Sequence, residues 1–540
     1  MALALYILVL VALLCYKAVA VVRTRRRHAR EAALRGCQPP PDAPRKGFLG
    51  IGTLKESLRA THEDRGPIWM HETLNAIGKN VHTVRAAILD YELFITRDPE
   101  NVKAMFATQS QDFDIGPHRE KCFKSLLGDG VMTNRQEKWK HSRSLIRPQF
   151  ARDNVADLDL FQRHLDALLR RLPVSGDGWT AKVDLSPLFF NFTLDTSTEF
   201  LFGQAVHAQS PEARLDSDLP LGLDMPDLSS FGHHLDEAKH IIDRRGAMAK
   251  YGWLLRDKAF PEHCNAVQKC VDYFVKAKLA RTSDCEKGNE TPSGIGKTKF
   301  ILLDELAKET RDPLELRSEL LNVLHASRDT TASLLGWCFY FLARHPDALA
   351  TLREEIVTYL GSDPAGEITF SALWTCRYLQ HVVNETIRMV GIVPMNERAA
   401  IHDTTLPRGG GPDGESPVFV PEGTQVLVPT YSMQHREDIW GPDVEQFKPE
   451  RWHDRKFGWD FIPFGGGARQ CIGQQFARTE AMYTISRMLQ IFDKVENLEG
   501  LGPIKMHHTI ENRSGSGVQV RLHLSSPLFS KYLQPGPAAP

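Results

Sequence analysis

The sequence of 540 residues has no Cys-x-x-Cys pair among its nine cysteines, which stand at positions 15, 37, 122, 264, 270, 285, 338, 376 and 471. An odd number at such spacings excludes a disulfide framework or a zinc ribbon and fits thiols kept reduced. Excess charge is also missing: 66 Lys+Arg face 67 Asp+Glu, for a net charge of -1. That balance excludes a generally basic nucleic-acid binder. No second long apolar run follows the first 22 residues, and no internal repeat is present. Two nucleotide-binding strings are incomplete. Gly296-Lys297-Thr298 has Thr291 where a phosphate loop needs glycine. Gly409-Gly410-Gly411-Pro412-Asp413-Gly414 is turn chemistry leading into a strand at Val418-Phe419-Val420, not a strand-to-helix cradle. With 42% hydrophobic and 25% charged residues, disorder and collagen are excluded for the bulk of the chain.

What is present begins with a charge split that the average hides. Residues 1–35 hold seven of the basic residues and one acid, Glu31, which leaves 59 basic against 66 acidic in the body. Residues 2–22, ALALYILVLVALLCYKAVAVV, are about long enough to cross a bilayer, with Lys17 the one charge. Arg23, Arg25, Arg26, Arg27 and Arg30 follow, and such a cluster marks the cytoplasmic flank. Neither the leading charge nor the small-residue cut site of a cleavable signal is clear. Residues 1–22 are therefore expected to form an uncleaved single-pass anchor. Residues 23–47 are expected to form a basic and proline-rich linker, in which Gln38–Pro44 acts as a stiff spacer. Residues 48–540 are expected to form one large cytosolic domain.

Within that body, Asp312-Pro313 reads as an N-cap followed by proline at the first helical position. The spacing predicts a helix from there to about Arg344, mostly apolar and roughly 48 Å long at 1.5 Å per residue. Its middle carries Ser327-Arg328-Asp329-Thr330-Thr331, polar groups that are costly in a core helix unless satisfied or functional. A second helix is predicted over about Ala372 to Val390, carrying Glu385 and Arg388. Residues 400–430 read as a small sheet. The polar, Gly-rich stretch 282–299 reads as a mobile loop. No periodicity assigns a fold to roughly 108–127.

The most informative segment is Phe461–Ala477. Cys471 stands between glycines, with Arg469 two residues before it and a helix after it. Glycines let backbone approach a flat ligand. A helix N-terminus and free N–H groups stabilise a thiolate, and Arg469 offers a fork for a carboxylate. Together these describe haem held by cysteine, a ligation that favours O–O cleavage.

The pattern Phe464-x-x-Gly467-x-Arg469-x-Cys471-x-Gly473 resembles the haem-binding signature of the cytochrome P-450 monooxygenases. Glu385-Thr386-Ile387-Arg388 resembles their ExxR helix, and Phe447-Lys448-Pro449-Glu450-Arg451-Trp452 their PERF-like element. Trp139-Lys140-His141-Ser142-Arg143 resembles the WxxxR helix, and Ala326–Thr331 the oxygen-activating stretch. The resemblance spans roughly residues 45–525. It implies a fold that is mainly α with a small β region, a single large haem domain behind an N-terminal transmembrane helix. It also implies that Cys471 is the axial iron ligand and that Phe464, Gly467, Arg469, Gly473, Trp139, Arg143 and Arg398 hold haem b. Asp329 and Thr330 then relay protons to O2, with Glu385, Arg388 and Arg451 locking the core. Ser327 stands where the family usually has glycine, and implies a narrower oxygen groove or an added hydrogen bond.

Within the family the chain is most similar to fungal microsomal enzymes that hydroxylate n-alkanes and fatty acids. Leu127–Val131, Arg147-Pro148-Gln149-Phe150 and Thr404–Gly414 carry that likeness. Met389-Val390-Gly391 departs from it, where an aromatic residue and a proline are usual. Only 69 residues follow Cys471, too few for a flavin domain. The implied partners are thus O2, an apolar small-molecule substrate and a separate NADPH-cytochrome P-450 reductase, at the endoplasmic reticulum membrane and with no nucleic acid. The alternatives are a hydroxylase of a secondary metabolite or other lipid, a peroxygenase or isomerase that needs no reductase, and a non-catalytic haem binder.

Overall fold

A computed structural model describes residues 2–210, 225–286 and 300–533. Helix α1 (Ala2–Leu34) carries the apolar run. It is the one helix among the described residues long and apolar enough to cross a membrane. It does not stop at residue 22. The arginines and the following His28–Leu34 segment, rich in good helix formers, continue it by another twelve residues. The expected linker is therefore helical to Leu34. The proline segment is not a free spacer either. Arg85 N donates to Pro41 O at 2.9 Å, Ala43 N donates to Arg85 O at 2.8 Å, and Gln38 N donates to Pro417 O at 2.8 Å.

The larger sheet is built from β1 (Thr83–Ile88), β2 (Tyr91–Thr96), β3 (Phe113–Asp114), β4 (Met395–Ala400) and a strand at Gln425–Pro429. Two further strands, β5 (Thr404–Gly410) and β6 (Ser416–Val420), form the hairpin around the glycine string, so Gln425–Pro429 is β7. The sheet order is β1-β2-β7-β4-β3, with only β2 and β7 parallel. A small antiparallel ribbon near the C-terminus pairs β8 (Met506–His508) with β9 (Asn512–Ser514). The 400–430 region is thus sheet, as its alternation indicates.

Most of the remainder is helical. The helices that position the site are α2 (Pro117–Leu127), α3 (Gln136–Ile146), α4 (Leu185–Phe202), α5 (Phe231–Ala247), α6 (Phe260–Glu286), α7 (Pro313–Leu342), α8 (Arg377–Val390) and α9 (Gln474–Ile491). Helix α2 lies in the stretch whose periodicity was silent, and its start is set by Pro117 at the first turn. Helix α6 continues to Glu286, into the segment read as a mobile loop, and residues 287–299 lie outside the described residues.

Helix α7 has the predicted cap, with the Asp312 carboxylate accepting from Leu314 N at 2.9 Å. Leu320, Leu324, Leu335, Trp337 and Phe339 are all buried, so it crosses the core between α4, α6, α8 and α9. The helix expected over 372–390 is instead two. A short turn, Phe370–Leu373, ends before α8, whose first N–H groups at Tyr378 and Leu379 donate to the Glu355 carboxylate at 2.8 and 2.9 Å. A cap from a distant side chain satisfies the helix start and lets the chain break there.

Candidate functional site

Local chain direction explains how Cys471 is presented. Gly465 and Gly467 both adopt positive φ, at 71° and 63°, conformations that a side chain resists. A Cβ on Gly467 would lie 1.7 Å from Phe106 O, so the turn comes too close to the neighbouring segment for any other residue. The turn closes with Cys471 N donating to Phe464 O at 2.9 Å, and α9 begins three residues later with Gly473 as its N-cap. Cys471 is therefore aimed along the positive end of a helix.

A cavity of about 320 Å³ lies between this turn and α7. Cys471, Phe464, Arg469 and Gly473 line it on one side, with Thr330, Ser327 and Ala326 of α7 among the residues opposite, and Trp139, Arg143 and Arg398 complete the wall. Two of the sequence-derived site residues are not in the wall: Gly467 shapes the turn behind it, and Asp329 points away into a buried ion cluster. Phe106, Ile115, Val131, Ile392 and Val393 make much of the rest apolar.

Cys471 differs from the other interior cysteines. Burial pushes the thiols of Cys264 up to about 11 and of Cys270, Cys338 and Cys376 up to about 12. Burial also raises Cys471, but the Gly473 backbone N–H and the Arg143 charge act in the opposite direction. Its side chain is open to the cavity, whereas those four are buried.

One edge of the cavity concentrates positive charge. Burial, followed by the neighbouring Arg119 and Arg469 charges, pulls Arg398 down to about 9. Arg469 is pulled down to about 10, first by burial, and Asp114 at 2.6 Å opposes the shift. Arg143 is lowered by burial and by Arg147. Arg469 stacks over the Trp139 ring at 4.3 Å and Arg398 over Phe106 at 4.1 Å. The Arg143 guanidinium donates to Gln470 O at 3.1 Å and that of Arg398 to Glu397 O at 2.7 Å. Arg119, which sequence reasoning missed, also lines this edge. Four guanidinium groups converge where, among the described residues, Asp114 is the one carboxylate bonded to any of them. Partly buried cations in such excess fit an anionic ligand. A flat dicarboxylate with a thiolate-seeking metal at its centre matches this edge, the glycine turn and Cys471 together, so the residues present fit haem.

Glu385 and Arg388 are both fully buried and joined by a bidentate pair, with both bonds at 2.9 Å. Glu385 also accepts from Lys448 N at 3.0 Å and Trp452 Nε1 at 2.9 Å, and Arg451 Nε lies 3.4 Å away. Arg388 donates to the carbonyls of Gln434 and Gln446, both at 3.1 Å. This lock ties α8 to the segment that leads into the cysteine turn. It is the core version of a pair that is usually a surface contact.

On α7 the Thr330 hydroxyl faces the cavity while donating to Ala326 O at 2.8 Å. Ser327 Oγ donates to Ser197 Oγ of α4 at 2.9 Å, so the departure from glycine adds a bond between helices. Asp329 is fully buried. Its carboxylate meets Lys239 Nζ of α5 at 2.5 Å and Arg328 at 3.3 Å. The same ammonium lies 3.1 Å from Glu511 of the β8–β9 turn, and Glu511 and His325 both line the cavity. Lys239 had one sequence signal: it shares a helix face with Leu235, Ala238 and Ile242, all buried. Arg119 and Glu511 had none.

Comparison with known proteins agrees with this geometry. A family model described as Cytochrome P-450 matches residues 68–509. Cytochrome P-450 monooxygenase g430 of a Fusarium sp is 42% identical over 503 residues, 92% of this chain and 86% of that protein. Cytochrome P-450 52A3-B of Candida maltosa is 39% identical over 488 residues, 89% of this chain and 90% of that protein. Cytochrome P-450 52A13 of Debaryomyces hansenii is 40% identical over 473 residues, 87% and 88% respectively.

Proposed function

This chain belongs to the cytochrome P-450 family and is a haem-thiolate monooxygenase, and from that premise we propose that it hydroxylates an n-alkane or fatty acid while anchored by α1 in the endoplasmic reticulum membrane, its catalytic domain facing the cytosol. The observation that carries the reading is the cavity itself, with Cys471 on one wall, Thr330 on the other and apolar side chains between them. The likeness of Leu127–Val131, Arg147–Phe150 and Thr404–Gly414 to alkane and fatty-acid hydroxylases supports the substrate class, as does the apolar lining.

Bound here, the haem supplies O2 activation and O–O cleavage, helped by electron density from the thiolate. The chain's own groups do the rest. Cys471 is the metal ligand, held in place by its bond to Phe464 O. Arg398, Arg469, Arg143 and Trp139 orient the two carboxylates through charge-assisted hydrogen bonds, and Arg119 joins them. Phe106, Ile115, Val131, Ile392 and Val393 exclude water and hold an apolar chain near the reacting centre. Thr330 hands a proton into the cavity and Asp329 restores it, as an acid–alcohol pair does. The electrons come from a separate NADPH-cytochrome P-450 reductase.

The test is reconstitution of the full chain with that reductase, NADPH and O2, offering n-alkanes and fatty acids of graded length. Chain-length-dependent hydroxylated product, with a matching shift of the haem spin state, is expected. Product formed with peroxide alone and none with reductase would instead identify a peroxygenase.

A further inference from the structure

The buried ion cluster beside α7 is the one charged assembly that the reading above uses only in part. It joins three elements distant in sequence. Helix α5 contributes Asp236, Lys239, His240 and Asp243. Helix α7 contributes His325, Arg328 and Asp329. The β8–β9 turn contributes Glu511, with His507, His508 and Arg513 around it. Lys239 is its centre, 2.5 Å from Asp329 and 3.1 Å from Glu511. All three are buried, at 4%, 0% and 3% exposure. The two carboxylates differ in one respect: Glu511 lines the cavity and Asp329 does not.

As arranged, both Asp329 oxygens face cations, Oδ2 at 2.5 Å from Lys239 and Oδ1 at 3.3 Å from Arg328. The first oxygen is open to a proton only when Lys239 moves away, and a buried ammonium does not move away from its partner unless another takes it. Arg328 cannot take over the full pairing of Asp329, because its guanidinium is also joined to Asp236. Asp243 is no second home for the ammonium, since burial holds its carboxyl toward the neutral form. Glu511 is. Burial alone would raise its pKa, but Lys239 and then His325 outweigh that and bring it to about 2.

We propose that Glu511 is a positioning residue for proton delivery, receiving Lys239 whenever Asp329 releases it. With Lys239 on Glu511, the Asp329 oxygen that it leaves takes a proton from water, while Arg328 stays beside the other oxygen. Asp329 passes that proton to the Thr330 hydroxyl, which gives up its own to the cavity. Asp329 is then ionised again and Lys239 returns. One proton enters and one leaves, and the electrons are those the reductase supplies. The ammonium is never without a counterion. Because Glu511 is also part of the cavity wall, substrate that presses on the β8–β9 turn shifts this balance directly.

The inference rests on the monooxygenase reading and is tested within it. The carbonyl band and NADPH-driven product of the parent chain test that reading, and ratios between variants and parent test Glu511. Glu511→Gln keeps the shape and removes the charge. It is expected to lower product per NADPH about tenfold, a small part of what a positioned acid contributes, with a matching rise in peroxide and a larger solvent isotope effect. Glu511→Asp is expected to restore most of the coupling. The double variant Glu511→Gln/Lys239→Met removes the competitor for Asp329 together with its second home, so it is expected to couple better than Glu511→Gln alone. A purely structural salt bridge predicts the reverse order. If Glu511→Gln does not take up haem, the double variant carries the test: coupling within about threefold of the parent supports the proposal and full uncoupling overturns it. A readout free of turnover is acid unfolding. The stability gap between parent and Glu511→Gln is expected at neutral pH and to close as pH falls from about 4.5 toward 2. Unchanged coupling in Glu511→Gln, a double variant no better than the single one, or a gap that does not depend on pH would each overturn the assignment.

Discussion

Two groups of charge, one partly and one largely buried, flank one cavity, and they are built on opposite plans. At the cysteine turn, Arg398, Arg469 and Arg143 are pulled down first by burial and then by neighbouring arginines, Arg119 stands at the same edge, and Asp114 is bonded to Arg469. Beside α7, Lys239 and Arg328 are matched by Asp329, Glu511 and Asp236. Isolated charge is costly in a protein interior and is retained only where something neutralises it. The first group is incomplete without an anionic ligand, and the second is complete within the chain. Uncompensated charge thus marks where the cofactor is held, whereas compensated charge marks machinery that the protein carries itself.

The contrast is open to attack by mutation. The largest effect is expected at the complete cluster. Lys239→Met takes the ammonium from Glu511 and leaves Asp329 only Arg328, which it shares with Asp236, and is expected to lower stability by about 3–5 kcal/mol, read by denaturant unfolding. The incomplete group should behave in the opposite way before haem is added. Arg398→Met is expected to stabilise the haem-free chain slightly while speeding haem loss to an acceptor protein about tenfold, roughly one charge-assisted hydrogen bond. Equal destabilisation with and without haem would erase the distinction between the two groups. Thr330→Ala is expected to leave folding and haem binding intact while releasing several-fold more peroxide per NADPH. Unchanged coupling removes Thr330 from the relay.

A last effect, confined to alkaline pH, concerns a carboxyl outside both groups. Burial first of all raises Glu319 of α7 to about 7, although it accepts from Val131 N at 3.1 Å. Its folded value lies above its unfolded one, so its contribution is fully present below about 4.5 and is lost as pH rises through 7. Glu319→Gln is therefore expected to gain on the parent by up to about 3 kcal/mol above pH 8 and to match it near pH 5, as read from melting temperature against pH.

What was legible in the sequence was what local chemistry decides. Asp312-Pro313 marked the start of α7 because capping acts within one turn, and the helix ends at Leu342, close to the expected Arg344. The glycines and Cys471 announced a haem turn because backbone conformation is local. The break before α8 was not legible, since the cap that permits it comes from Glu355, 23 residues before Tyr378. The orientation of Asp329 was hidden in the same way. Its partner Lys239 lies 90 residues away and Glu511 lies 272 residues from Lys239, so only the fold brings them together. Arginine at position 119 carries no local mark, and its role follows from where α2 places it. The apolar run at residues 2–22 was legible as helix from composition alone, whereas its continuation to Leu34 was not, because charged residues that end the apolar run still favour helix.

The central claim is that Cys471, and no other thiol, holds the iron of a haem placed by the arginine edge. It is tested most directly by the absorbance spectrum of the dithionite-reduced full chain under carbon monoxide, compared with that of Cys471→Ala. The parent is predicted to show the long-wavelength carbonyl band of thiolate-ligated ferrous haem and the variant to lack it. A band that persists in the variant, or that is absent from a fully haem-loaded parent, contradicts the account.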